Sequence, residues 1–282
     1  MNLILQGCDA ERSAINRIAS IAGAQHVIAL SAQSFRCEDV TVSDDVKIAV
    51  ETACALERLD HSFIAPGMRL SDFKLLAMDM DSTLITIECI DEIADMQGLK
   101  PQVAAITEAA MRGEIEFNES LTRRVALLAG LDASALERVY QERLQLSPGA
   151  ESMLAAVKAA GLKTLLVSGG FTFFTDRIRQ RLGLDYSHAN QLEIIDGKLT
   201  GRILGEIVNA EEKKHTVQRI CTELGIDPVA AIVMGDGAND LQMMSIAGMS
   251  VAFRAKPVVR AQARVALNYV GLDGISALFE SS

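Results

Sequence analysis

Three short, almost continuously apolar runs do most to limit what this 282-residue chain can fold into: residues 74–80 (KLLAMDM), 164–168 (TLLVS) and 230–236 (AAIVMGD). A strand that shows no alternation of apolar and polar residues is buried on both faces, as happens in the middle of a parallel sheet covered by helices. The second and third runs lead into glycine-bearing turns and then into helical spacing of apolar residues. SVAF (250–253) and ALNYV (266–270) read as further strands. Strands that alternate with helices predict an α/β fold, a doubly wound parallel sheet with right-handed crossovers.

Two stretches break the alternation. Residues 86–147 are almost wholly helical in pattern, too much for one crossover, and predict a helical cap inserted above the sheet. NQLEIIDGKLTGRILGEIV (190–208) sets Asp196-Gly197 between β-rich flanks, a hairpin signal. Residues 1–66 read as a small N-terminal α+β domain. LIL, HVIALSA and HSFIA are its candidate strands, and ERSAINRIASIAG and DDVKIAVETACALERL its helices. Pro66 and Gly67 mark a linker to a core domain over residues 72–282.

In open α/β sheets, ligands bind beyond the carboxyl ends of the strands. Three of the apolar strands end in polar residues of that kind: Asp79 with Asp81, Ser168-Gly169-Gly170, and Gly235-Asp236-Gly237-Ala238-Asn239-Asp240. Any one of these is an ordinary helix cap or turn. Together they predict carboxylates on one rim, which repel one another unless a hard cation such as Mg²⁺ shares them. Ser168 and the amides of Gly169 and Gly170 suit phosphoryl oxygens. Lys213 is a candidate for the positive charge that phosphoryl transfer requires, with its neighbour Lys214 as the alternative.

DMDST, SGGF, the lysine and GDGANDLQM stand in the order and spacing of the haloacid-dehalogenase-type phosphatases. Residues 73–280 resemble that family. More narrowly, Glu88, the cap stretch AMRGEIEFNESLTRRVALL and the hairpin resemble the phosphoserine phosphatases. The resemblance implies a Mg²⁺-dependent hydrolase of O-phospho-L-serine that works through an aspartyl-phosphate, at the last step of serine biosynthesis. It implies Asp79 as nucleophile and Asp81 as the acid that protonates the seryl oxygen and then activates water. Asp79, the Asp81 carbonyl and Asp236 would hold Mg²⁺, with Asp240 supporting them from behind. Ser168, Gly169 and Lys213 would hold the phosphoryl group, with Asn239 nearby. Glu88 would meet the substrate ammonium and Arg124 its carboxylate. Met111, whose side chain lies outside the described residues, and Phe117 match apolar cap positions that close over the site, although a stripe of that kind is more often core. The N-terminal alternation is reminiscent of the small amino-acid-binding regulatory domains attached to some phosphoserine phosphatases; a ligand site, a scaffold and a homodimer contact are all open for it.

Composition narrows the partners. With 27 basic and 37 acidic residues the net charge is −10, which disfavours nucleic acid and anionic membranes. No run of about 18 apolar residues predicts a transmembrane helix. The N-terminus lacks the basic segment and cleavage site of a secretion signal. Five irregularly spaced cysteines without CxxC predict free thiols in a reducing cytoplasm. The four histidines stand alone, without a metal-binding spacing. The rival expectations are a phosphatase of the same fold for another small phosphomonoester, and a phospho-accepting signalling module. The latter would use Asp79 but leave Asp81, Lys213 and the cap without a task.

Overall fold

The structure, a computed structural model, describes residues 1–280. The chain opens with β1 (Asn2–Gln6), α1 (Arg12–Ile21), β2 (His26–Ala29), β3 (Ser34–Glu38), α2 (Asp44–Glu57) and β4 (Asp60–Ile64). Then follow β5 (Leu75–Met78), the four cap helices α3 (Cys89–Asp95), α4 (Lys100–Met111), α5 (Phe117–Ala126) and α6 (Ser134–Glu142), and α7 (Ala150–Ala159). The remainder runs β6 (Lys163–Phe171), α8 (Thr172–Leu182), β7 (Tyr186–Ile195), β8 (Lys198–Leu204), α9 (Ala210–Leu224), β9 (Ala231–Gly235), α10 (Leu241–Met244), β10 (Met249–Phe253), α11 (Pro257–Arg260) and β11 (Val265–Leu267). One sheet has the order β2-β3-β1-β4, and the other β11-β10-β9-β5-β6-β7-β8. The second is the expected α/β sheet, parallel except where the β7–β8 hairpin turns back. Among the described residues, no helix is long and apolar enough to cross a membrane.

The chain divides into two compact units, residues 1–76, 147–163 and 226–282 in one and 77–146 and 164–225 in the other. In the first, β1 pairs antiparallel with both β3 and β4, and β2 lies outside β3, the split βαββαβ arrangement. Leu3 and Leu5, two residues apart, point to one face and pack with Ile15, Ile18, Phe35, Cys37, Val50 and Cys54. Ile4 and Gln6 point to the opposite face and are buried as well. That face meets residues 272–278, and Arg36 donates to the Phe279 carbonyl at 2.9 Å. Sequence reasoning gave no strand at β3, because only Phe35 and Cys37 carry its alternation among polar neighbours.

The end of β4 is fastened to the chain after β11 by a buried carboxylate. Asp60 accepts from the amides of Asn268 at 2.7 Å, Tyr269 at 2.9 Å and Val270 at 3.1 Å. Burial pushes the Asp60 carboxyl up, against the pull of these donors. The first 66 residues are therefore joined to the C-terminal strands by buried polar bonds as well as by the chain at Pro66.

In the second unit, β6 and β7 run parallel, and the β7–β8 hairpin turns at Asp196 (φ 50°) and Gly197 (φ 75°), the left-handed pair that Asp-Gly supplies at lowest cost. The cap is closed at its base, where Ile85 bridges Leu146 and the Thr86 amide donates to Gln145 at 3.0 Å. Within it α3 packs on α4 and α6, while α5 lies along β8.

Replacing Asp60 by alanine orphans three amides at once. Asp60→Ala should destabilise the protein by about 2–4 kcal/mol, since each unsatisfied buried donor is costly. Denaturant unfolding of the full chain measures this; a loss below about 1 kcal/mol would show that water replaces the carboxylate.

Candidate active site

Asp79 follows β5 directly, in extended backbone geometry, and is 5% exposed. Its Oδ1 accepts from the Met80 amide at 2.7 Å and pairs with Lys213 Nζ at 2.9 Å. The Lys213 side chain is fully buried, whereas Lys214 is partly exposed. The lysine is delivered by the first turn of α9, whose start is fixed by Asn209: its side chain accepts from Glu211 and Glu212 amides, each at 3.1 Å. A buried ammonium is tolerated only with such a partner.

Asp81 sits in the wide turn after β5. Its Oδ1 accepts from the Cys89 amide at 3.2 Å, and the Cys89 thiol also bonds the carboxyl. Desolvation pushes its pKa up to about 7, with the negative charge of Glu88 adding to the rise and Cys89 and Lys213 opposing it. The turn places Ser82 at φ 58°, an unusual conformation for serine, and its hydroxyl donates to Glu88 Oε1 at 2.6 Å. Ser82 thus fixes Glu88, a contact that spacing alone does not reveal.

The Ser168-Gly169-Gly170 segment ends β6. Ser168 is fully buried and its Oγ accepts from the Gly170 amide at 2.8 Å. A Cβ on Gly170 would fall 2.6 Å from Asp81 Oδ2, so only glycine lets the two strands' ends approach this closely. At Gly169 a Cβ would come 3.2 Å from Phe117 Cζ, which puts this first residue of α5 against the loop. Asn190, on β7, donates to the Gly169 carbonyl and accepts from the Val208 amide, both at 2.8 Å. Sequence reasoning missed Asn190; a single asparagine in a strand gives no signal.

Arg124, on α5, is half-buried, and its Nε is buried with no hydrogen-bond partner. Burial lowers its pKa, while Asp91, Glu88 and Asp81, in that order, raise it. The structure therefore gathers Asp79, Asp81, Glu88, Arg124, Ser168, Gly169 and Lys213 within one unit. Asp236, Asn239 and Asp240 belong to the other unit, in the loop after β9. There Asp240 is fully buried and its Oδ2 accepts from the Asp236 amide at 3.1 Å and the Gly237 amide at 3.0 Å. Cβ atoms on Gly235 and Gly237 would strike Asp240 and Asn239 at 2.3 and 2.2 Å. Asp236 and Asp240, in the loop after β9, offer only oxygen, which suits a hard divalent cation better than zinc.

Residues 73–248 match the family model of the haloacid dehalogenase-like hydrolases. The phosphoserine phosphatase of Polaromonas sp. strain JS666 is 60% identical over 218 residues, 76% of this chain and 92% of that protein. A crystal structure of a HAD family hydrolase from Salmonella enterica serovar Typhi superposes with a TM-score of 0.90 at 32% identity over 100% of both chains. The unliganded probable phosphoserine phosphatase of Vibrio cholerae gives 0.84 at 34%, covering 99% of this chain and 86% of that one.

The surroundings of Asp81 lead to a titration test on metal-free protein. Carbon-detected NMR of the Asp81 carboxyl should show a midpoint near 7, protonated below and ionised above. Removing the neighbouring negative charge with Glu88→Gln should move the midpoint down. A midpoint near 4, or one indifferent to Glu88, would contradict this description of the carboxyl's environment.

Proposed function

The chain belongs to the haloacid dehalogenase-like hydrolases, enzymes that here act on phosphomonoesters, and we propose that its substrate is O-phospho-L-serine. The observation that carries the proposal is the closeness of opposite cap charges to the acid: Glu88 raises the Asp81 carboxyl, and Glu88 and Asp81 both act on the buried Arg124 guanidinium. Phosphoserine presents an ammonium and a carboxylate beside its ester oxygen, and a carboxylate and a guanidinium complement that head. Similarity to the Polaromonas phosphoserine phosphatase supports the same substrate.

In the proposed reaction an Asp79 oxygen attacks phosphorus while the bond from phosphorus to the seryl oxygen breaks. Asp81, whose carboxyl burial pushes up to about 7, gives its proton to that oxygen, and serine leaves. A water then attacks the aspartyl-phosphate, Asp81 takes the water's proton, and phosphate departs with Asp79 regenerated. Lys213 keeps Asp79 ionised and offsets phosphoryl charge, and Ser168 with the Gly169 amide holds the phosphoryl oxygens, with Asn239 nearby. Asp79, the Asp81 carbonyl and Asp236 would hold Mg²⁺, with Asp240 steadying the Asp236 loop. When bound, the ion supplies positive charge toward the phosphoryl oxygens. We place the reaction at the last step of serine biosynthesis, in a reducing cytoplasm that suits the free cysteines.

Phosphate release measured over a panel of O-phosphoserine, O-phosphothreonine and p-nitrophenyl phosphate tests the substrate. O-Phosphoserine should have the highest kcat/KM; a higher value for another member would overturn the assignment. Chelation of Mg²⁺ should abolish turnover, and full activity in EDTA with metal shown to be absent would contradict the ligand set. Arg124→Ala should lower kcat/KM for phosphoserine by roughly 30- to 4000-fold, the range for removing one partner of a desolvated charge pair, and affect p-nitrophenyl phosphate much less. Equal losses on both substrates would mean that Arg124 serves the cap's structure.

A further inference from the structure

Among the described residues, two buried polar atoms of the cap lack partners, and they belong to groups of opposite charge. One is Nε of Arg124, the other Oδ1 of Asp91. A buried polar atom left unpaired is costly, so a charged pair of this sort points to bonds made in another state of the cap. On α5, Glu119 pairs with Arg123 instead. On α3, Asp91 stands one turn beyond Glu88, the residue that precedes the helix, and so shares its face. Among the carboxylates that act on Arg124, Asp91 has the largest effect, ahead of Glu88.

We infer that Asp91 is a positioning residue for Arg124, accepting the Nε–H so that the two terminal nitrogens of the guanidinium point at the substrate carboxylate. This rests on the reading above, in which Arg124 meets that carboxylate. The division of labour follows from the guanidinium's shape, which offers five N–H donors in a planar fork. A bidentate carboxylate uses the terminal edge, and the Nε side is left for a protein acceptor. Asp91 acts through Arg124 and touches no reacting atom. Its effect therefore falls on binding of the amino-acid head rather than on the phosphoryl step.

The test is steady-state kinetics of Asp91→Asn, Arg124→Ala and the double variant on O-phosphoserine and p-nitrophenyl phosphate with Mg²⁺. Asp91→Asn keeps the shape but removes the charge. It should raise KM for phosphoserine roughly 10- to 100-fold with kcat changed by less than about 3-fold, the pattern of lost uniform binding, and should change p-nitrophenyl phosphate kinetics far less. In the Arg124→Ala background the same substitution should add less than about 2-fold, because the partner is gone. Asp91→Glu, which restores the charge, should recover part of the KM. Where Asp91→Asn does not give a cooperative melt, Asp91→Ser is measured in its place, with the same expectation. Equal losses on both substrates, or full additivity with Arg124→Ala, would overturn the inference. Wild-type protein that does not hydrolyse phosphoserine would instead refute the substrate reading on which it stands.

Discussion

The Asp79–Lys213 ion pair is the constraint on which the rest of the second unit depends. Neither charge could be buried alone, because desolvating a single ammonium or carboxylate costs several kcal/mol. Their 2.9 Å contact makes both tolerable, and it ties the end of β5 to the first turn of α9. The Asn209 cap sets where that helix begins, and so which of two adjacent lysines turns inward. A lysine one place later would be partly in water, as Lys214 is.

Around this pair the same polypeptide gives two carboxylates opposite characters. Asp79 has a buried ammonium and an amide on one oxygen, which favours the ionised form. Asp81, two residues on, has poor solvation and the negative charge of Glu88, which favour the protonated form. Such a separation is what a nucleophile and a neighbouring acid require. Gly170 makes it spatially possible, since a side chain there would displace the Asp81 carboxyl. Glu88 in turn is held by Ser82, whose strained backbone is a local cost accepted at a working turn.

The parallel strands were legible in the sequence because burial on both faces leaves a continuous apolar run, and the hairpin because Asp-Gly fits two left-handed positions. The motif residues were legible for a related reason: strand ends are few, and polar residues crowded there need a cause. Lys213 could be preferred to Lys214 from motif order, but its burial came only from the fold. What stayed hidden were contacts made by ordinary residues at long range. Asn190 bridges Gly169 and Val208 from within a strand, and Asp60 fastens β4 to residues 268–270 across more than two hundred positions. Asp91 was hidden for a different reason. Its spacing from Glu88 is visible, but acidic residues near a helix start are common, and only the burial of its unpaired oxygen sets it apart.

In the proposed reaction Asp79 attacks phosphorus and is transiently phosphorylated. Rapid acid quench of the Mg²⁺-loaded protein with phosphate-labelled O-phosphoserine tests it most directly. Label should appear on the protein within the first turnover, map to the peptide that contains Asp79, and be absent from Asp79→Asn. Turnover that proceeds with no labelled protein at any quench time, or label on a peptide that lacks Asp79, would contradict the account.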